Sequence, residues 1–505
     1  MSSSAEPQPN TYMLGAIFDQ PTAYGSIRAI AVESKTGDNL ISLYSVLVSL
    51  MFIPAWKMAC RLADHLFHED IEILKNASAP PWDQSRAKFL AAFTMPWENM
   101  AATVGRAKKS TGQQVALFTF ALAFFFSSLV AGVLVPPLLV IGTVAPVQPN
   151  VVYFPTQPLG LNSADGLKYQ ALIAPAAVRA VGGVGAAQAR GGVSVETNLL
   201  PISVGTEPVL QVDYSYAVTG LDFGLQRLSQ LTQTVQGSCV TNYDWVSGPD
   251  GTEEFDFYHL WNLPNEVVAV SRNQSLHPPW ATMHKHPNTK QTTETSGNNS
   301  YAVVVHSVDR TSFTTSADPW YSTTQGAGDP LTALYIGPYQ VRPGRPPLSC
   351  WQKDTWSFRG EMVNSVFNLG NLTDIDMPPE WHDFLRIQFA APKIVDIGIS
   401  LGRSTLVSST TYLDRITVAN FDADSSKLER DMERLVWTAY VASCDIFRES
   451  TMVVERYNIP NGAANSDRAA QFVLSTSAVS TLSLSVLIAV PAVCATLWIL
   501  QIFLL

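Results

Sequence analysis

Ser400 stands in Gly398-Ile-Ser-Leu-Gly402, the GxSxG pattern that places a nucleophilic serine on a sharp strand-to-helix turn, and the apolar KIVDI before it could supply the strand. That chemistry needs an imidazole to take the serine proton, and in that fold the acid and the histidine follow the serine along the chain. The last histidine is His382, so a hydrolase here requires a permuted triad. The same residues also fit a helix from Ile394 to Leu406 in which Gly398 and Gly402 allow close packing. The helix is the expectation, and Ser400 is kept as the one catalytic candidate.

Four further groupings carry chemistry by type and spacing. His277, His284 and His286 lie together in HPPWATMHKH, and neutral imidazoles bind zinc or copper, but no carboxylate or cysteine partner is clearly placed, so a solvated loop is expected. His65 and His68 in HLFHED do not form HExxH and suit a helix surface. Glu253, Glu254 and Asp256 near Asp250 read as a solvated acidic turn, since sequence spacing alone cannot set two carboxyls across a sugar. Gly183-Val-Gly185 lacks the third glycine of a dinucleotide fingerprint. No metal and no cofactor is expected.

The elements that must position these residues are set by one stretch, Gln114 to Val147, which passes without a charged side chain. It exceeds the ~20 apolar residues that cross a bilayer, and Pro136 and Pro137 withhold two backbone donors, so the helix ends or kinks there. A marginal second run, Asn39 to Trp56, is too far from the start for a cleaved signal peptide and reads as an uncleaved signal-anchor. A third, within residues 477–505, closes the chain as a span; the alternative is a lipid-anchor signal, with small residues Asn461 to Ala464 ahead of an apolar tail.

Charge gives these runs a direction. The net charge is -10, and it falls after the central run, since acidic and basic residues before it balance; a basic nucleic-acid footprint is absent. Lys57, Arg61, Lys75, Arg86, Lys88, Arg106, Lys108 and Lys109 crowd the segment 57–113, the cytoplasmic signature of the positive-inside rule. That segment also offers two amphipathic helices, Lys57 to Leu74 and Arg86 to Lys109. Residues 148–476 are then extracytoplasmic, and the sequons at Asn273, Asn298 and Asn371 agree, while Asn76 should stay unmodified.

Five cysteines show no zinc-like spacing. Cys60 and Cys494 belong to apolar runs and Cys444 to a helical stretch, so a disulfide in the outer region is expected between Cys239 and Cys350.

The outer region opens with a proline-spaced linker and a Gly/Ala-rich patch, AAVRAVGGVGAAQARGG, expected as loop. Runs of β-branched and aromatic residues then recur between turn signals: VSVETNLLPISV, PVLQVDYSYAV, SCVTNYDWV, EVVAVSR, SYAVVVHSV and TALYIGPYQV. They predict a largely antiparallel β domain. The Thr/Asn/Ser-rich stretch Lys285 to Asn299 reads as an exposed loop carrying a glycan. Ser426-Lys-Leu-Glu429 reads as a capping box that opens a helix running to about Glu449 and leading toward the last span.

At VDYSYAVTGLDFGLQ, GSCVTNYDW, PPLSCWQKDTWSFRG and LERDMERLVWTAYVAS the chain resembles uncharacterised multi-span membrane glycoproteins of filamentous ascomycete fungi. The resemblance implies an anchored glycoprotein with a large external domain and transfers no catalytic residues. Trp245, Trp351 and Trp356, beside Cys239 and Cys350, are expected to pack in the core rather than form a ligand platform.

The fold expected is thus a membrane protein. It has an N-terminal tail over 1–38, a span at 39–56, a cytoplasmic segment at 57–113 and a span at 114–147. A mainly β (α+β) extracytoplasmic domain over 148–476 and a span over 477–505 follow. The function expected is binding or sensing of an extracytoplasmic ligand or protein at the plasma membrane or an endomembrane. A membrane-tethered serine hydrolase and an accessory membrane protein of a fungal pathway are the alternatives. Transport is disfavoured, because the spans carry no ionisable residue of the kind a pathway needs.

Overall fold

Period-2 alternation from Val193 onward becomes a seven-stranded antiparallel sheet with two distinct faces. The computed structural model describes residues 11–23, 25–66, 111–154, 164–204, 207–249, 254–272, 277–326, 337–415, 418–452 and 468–504. Asn76, Asn273, His68 and residues 461–464 lie outside the described residues. So do the side chain of His65 and, beyond the helix end at Leu66, the two amphipathic stretches expected before Lys109. The chain forms two units, Met1–Thr11 with Pro21–Ser26 and Val147–Val473, and Tyr12–Gln20 with Ile27–Pro146 and Leu474–Leu505.

In the first unit the sheet strands are β1 (Val193–Val204), β2 (Glu207–Thr219), β3 (Thr232–Thr241), β4 (Trp280–Lys285), β5 (Asn298–His306), β6 (Leu348–Phe358) and β7 (Glu361–Val363). Their spatial order is β4-β5-β6-β3-β2-β1, with β7 paired to the end of β6. Helices α1 (Ala164–Arg190), α2 (Thr289–Ser296), α3 (Lys393–Leu401) and α4 (Leu428–Cys444) accompany it. The inner face packs against α4, which lies on β1 and β2, and against α3, which lies on β4. A separate three-stranded sheet (Val246–Pro249, Phe255–His259, Val267–Ser271) packs Trp245, Tyr258, Leu260 and Val270 onto Ala302 and Val304 of β5.

Five expectations need correction here. The Gly/Ala patch is part of helix α1: Ala180, Ala187, Trp437 and Val441 form one cluster, and a Cβ on Gly183 would lie 3.0 Å from Val441. Close approach to α4 outweighs the ~1 kcal/mol that each glycine costs a helix. The stretch Lys285 to Asn299 ends β4 and forms α2, within which hydroxyls bond back to carbonyls four residues earlier, Thr292 to Asn288 (3.2 Å), Thr293 to Thr289 (2.7 Å) and Ser296 to Thr292 (2.9 Å).

The capping box does not form. The Ser426 hydroxyl donates to the Asp422 carbonyl, and the helix is capped from a distance by Asp318, whose carboxylate accepts from the Leu428 amide at 3.0 Å. The helix stops at Cys444, a short turn follows at Ile446–Glu449, and strand Val479–Ser483, not this helix, enters the last apolar helix. Within HPPWATMHKH, Trp280–Lys285 is an edge strand rather than a loop.

The fifth correction concerns residues 11–38 of the tail expected over 1–38. They supply strands Ile17–Thr22 and Gly25–Glu33 to a four-stranded sheet in the second unit, and the helix after them spans Ser34–Leu66, longer at both ends than expected. In that sheet Gly25–Glu33 pairs with Val479–Ser483, and Val479–Ser483 pairs with Val140–Gly142. Each of these three neighbouring strands is continuous with one apolar helix: Glu33 passes into Ser34–Leu66, Ser483 into Leu484–Leu504, and Thr111–Leu134 reaches Val140 through a single turn at Pro136–Leu139. The prolines end the central helix where the sequence places them. Tyr44, Val48, Leu139, Leu482 and Val490 form the shared core, and the Tyr44 hydroxyl donates to the Leu487 carbonyl at 2.6 Å. The helices at Ser34–Met58 and Leu484–Phe503 are long and apolar enough to cross a membrane.

Candidate functional site

Strand β6, LSCWQKDTWSF, runs through the middle of the sheet and decides what each face carries. Leu348, Cys350, Gln352, Asp354, Trp356 and Phe358 point inward and are buried; Trp351 points outward and is 51% exposed. The expectation that Trp351 packs in the core is therefore wrong, for a reason present in its own strand: if Cys350 faces in, its neighbour must face out. Trp245 and Trp356 are buried, as expected.

On the inner face Cys239 and Cys350 oppose one another across β3 and β6 and form the expected disulfide. The Tyr301 hydroxyl lies 3.4 Å from the Cys239 sulfur and 2.9 Å from the Tyr214 hydroxyl, which donates to Gln352 Oε1 at 2.9 Å. Gln352 Nε2 then donates to Asp354 Oδ1 at 2.8 Å. Asp354 Oδ2 is buried without a partner, and burial pushes this carboxyl up to about 7 against the opposing pull of the Gln352 bond. The three tyrosines nearby, Tyr214, Tyr216 and Tyr301, are held protonated by the same burial.

The network depends on Gly237, the register partner of Tyr214 and Gln352. An added Cβ would sit 2.2 Å from Tyr214 Cζ, so the phenol reaches across β3 only because nothing stands there. Gly237→Ala is expected to cost about 3 kcal/mol by displacing Tyr214 from Tyr301 and Gln352. A thermal midpoint equal to that of the unsubstituted chain would refute this.

Away from the small three-stranded sheet, which covers Ala302 and Val304, two rows of the outer face are largely hydrophilic across five strands. One row of register partners reads Ser300, Trp351, Ser238, Asp213, Glu196; the next reads Asn298, Lys353, Gln236, Ser215, Ser194. Gln211 donates to both oxygens of Asp213 at 2.7 and 2.9 Å. Among the described residues no ring contacts the Trp351 indole. Asn298 is exposed, as is Asn371 at the end of the turn Val366–Asn371. Asn273 lies outside the described residues.

At the other end of this face the histidines are distributed, not convergent. Thr282 Oγ1 is 3.0 Å from His284 Nε2 and 3.1 Å from His306 Nε2, and His306 stacks on Trp280 at 3.9 Å between ring centroids. His306 Nδ1 is buried without a partner. Burial, with smaller contributions from Arg310 and His284, pushes His306 down to about 3, and burial lowers His284, so both rings are neutral. His286 meets the edge of Trp261, whose backbone, with that of Asn262, is left-handed at φ 53 and 54. His277 contributes only its carbonyl, which with those of Pro278 and Val308 accepts from the fully buried Arg310. Among the described residues no three His, Cys, Asp or Glu side chains are gathered to hold a metal ion.

Asp250 and Glu253 lie outside the described residues, and Ser400 and Asp256 have structural partners. Ser400 lies within helix α3, and its hydroxyl donates to the Asp396 carbonyl at 2.7 Å, so the strand and sharp turn of a nucleophile elbow are not found at these residues. Gly398 does allow close packing, since a Cβ there would lie 2.4 Å from Met283, whereas Gly402 at φ 53 ends the helix in open space. Asp256 is not in a solvated turn. It is a fully buried strand residue whose Oδ1 accepts from Arg272 at 2.6 Å and 2.9 Å and whose Oδ2 accepts from the Gly344 amide at 2.8 Å.

Sequence reasoning missed Trp351 as a surface group, His306, Arg310 and Asp354. Alternation about Cys350 was the available signal for Trp351 and Asp354; His306 and Arg310 carry none, because their partners come from distant strands and loops. No curated protein and no solved structure matches this chain. The family model described as Domain of unknown function (DUF8406) matches residues 174–474, which include every strand of the seven-stranded sheet and the helix α4 beneath it. That match covers more than half of the chain, which therefore belongs to the DUF8406 family.

Proposed function

We propose that the chain is a multi-pass membrane-anchored glycoprotein whose β domain is extracytoplasmic and binds or senses a ligand or protein through the outer face of its sheet. The observation that carries this is the apolar exterior of the three long helices: Leu43, Val46, Phe126, Leu129, Val133, Ile488, Val493, Ile499 and Phe503 all point outward and are exposed. Two of these helices have the length and composition to cross a bilayer, and the third, Thr111–Leu134, carries no charge over its 24 residues. Sidedness is supported by the basic residues between the first and second helices. It is supported again by strand pairing, because Gly25–Glu33 and Val479–Ser483 join at one end of the helices. Residues before the first crossing and before the last then share a side.

The test is glycosidase shift mapping of the full chain expressed in a glycosylating host, with Asn273, Asn298 and Asn371 replaced by Gln singly and together. Loss of shift with each occupied site removed is the expected result, and Asn76→Gln should change nothing. A chain that shows no shift at any of the three sites would overturn the sidedness.

A further inference from the structure

We propose that Asn298 bears an N-linked glycan whose first sugar packs over the indole of Trp351, so that the outer face of the sheet seats the protein's own modification. This rests on the extracytoplasmic reading above and adds to it a defined contact. Asn298 begins β5 on the outer face: Asn299 beside it is buried and accepts from Thr293, and Ser300 faces outward again. Within Asn298-Asn-Ser, then, the acceptor and the hydroxyl of the sequon share one face while the middle residue anchors the strand. The Asn298 side chain makes no hydrogen bond among the described residues.

Register fixes where a sugar on Asn298 would go. Asn298 pairs with Lys353 and Ser300 pairs with Trp351, so Asn298 and Trp351 are diagonal neighbours, with Cα atoms roughly 7–8 Å apart and Cβ atoms somewhat closer. That separation leaves room for one sugar ring between the amide and the indole. The indole is 51% exposed in a register row otherwise made of Ser300, Ser238, Asp213 and Glu196, with Lys353 two residues along. A pyranose suits such a place, because its C–H face can cover the apolar ring while its hydroxyls meet Ser238, Lys353 and Gln236. The glycan's position is given by its covalent root at Asn298.

Hydroxyl-radical footprinting of the full chain in detergent, read by mass spectrometry at Trp351, tests this together with site occupancy at Asn298, Asn273 and Asn371. The expected result is that Asn298 is occupied and that Asn298→Gln and Ser300→Ala each raise Trp351 oxidation several-fold, while Asn371→Gln leaves it unchanged. As a second measure, Asn298→Gln should lower the thermal midpoint in the native background and not in Trp351→Ala. Occupancy at Asn298 with Trp351 equally reactive in both forms overturns the contact. Occupancy at Asn273 or Asn371 but not at Asn298 overturns the contact and leaves the sidedness standing. No occupancy anywhere refutes both.

Discussion

Asp354→Asn is expected to stabilise the folded chain near pH 8 by on the order of 4 kcal/mol and to leave it almost unchanged near pH 4, the rise from the ordinary carboxyl value to about 7 being worth that much. The carboxyl is 4% exposed, one oxygen has Gln352 as its donor and the other has no partner at all. Its folded pKa of about 7 lies above the ordinary carboxyl value, so between roughly pH 4 and 7 the folded chain keeps a proton that the unfolded chain has released. Stability therefore falls as pH rises through that window and is level above it. Asparagine has the shape of the protonated acid and cannot ionise, so the fall should vanish. Urea midpoints of both chains at several pH values check this, and parallel profiles would refute it.

The second large effect concerns the disulfide. Cys239→Ala with Cys350→Ala removes a link that closes 111 residues of chain, and the expected loss is about 2–5 kcal/mol, since the unfolded ensemble regains that freedom. Both cysteines are buried at the centre of the sheet, so a reductant that leaves the fold intact should leave the bond intact as well. Urea unfolding of the native and doubly substituted chains, with and without reductant during unfolding, separates these effects. The native chain should match the variant only when it unfolds under reducing conditions. Equal midpoints throughout would mean that the sheet's own pairing supplies the constraint.

Much of the architecture was legible because it depends on local period. The strands at VSVETNLLPISV, PVLQVDYSYAV and SYAVVVHSV alternate, and the central helix stops at Pro136 as two missing amide donors require. What escaped was decided by partners far along the chain. Gly183 and its neighbours form a helix because Val441 lies against them; Thr289 to Ser296 form one although their composition suggests a loop; Leu428 is capped by Asp318 rather than by the serine two residues before it. The site divides the same way. Cys239 and Cys350 were identified as a pair, whereas Trp351 was assigned to the wrong face because its nearness to a cysteine was weighed above the alternation of its strand.

The junctions at Glu33–Ser34 and Ser483–Leu484 have a mechanical consequence. A strand that becomes a helix without a loop has no swivel, and Gly25–Glu33 and Val479–Ser483 are hydrogen-bonded side by side along five residue pairs. A torque on one rod is thus shared with the other, and with the third through Val140–Gly142. The two directly joined rods tilt together or the ladder shears, while the third, reached through the turn at Pro136–Leu139, is tied to them only by Val140–Gly142.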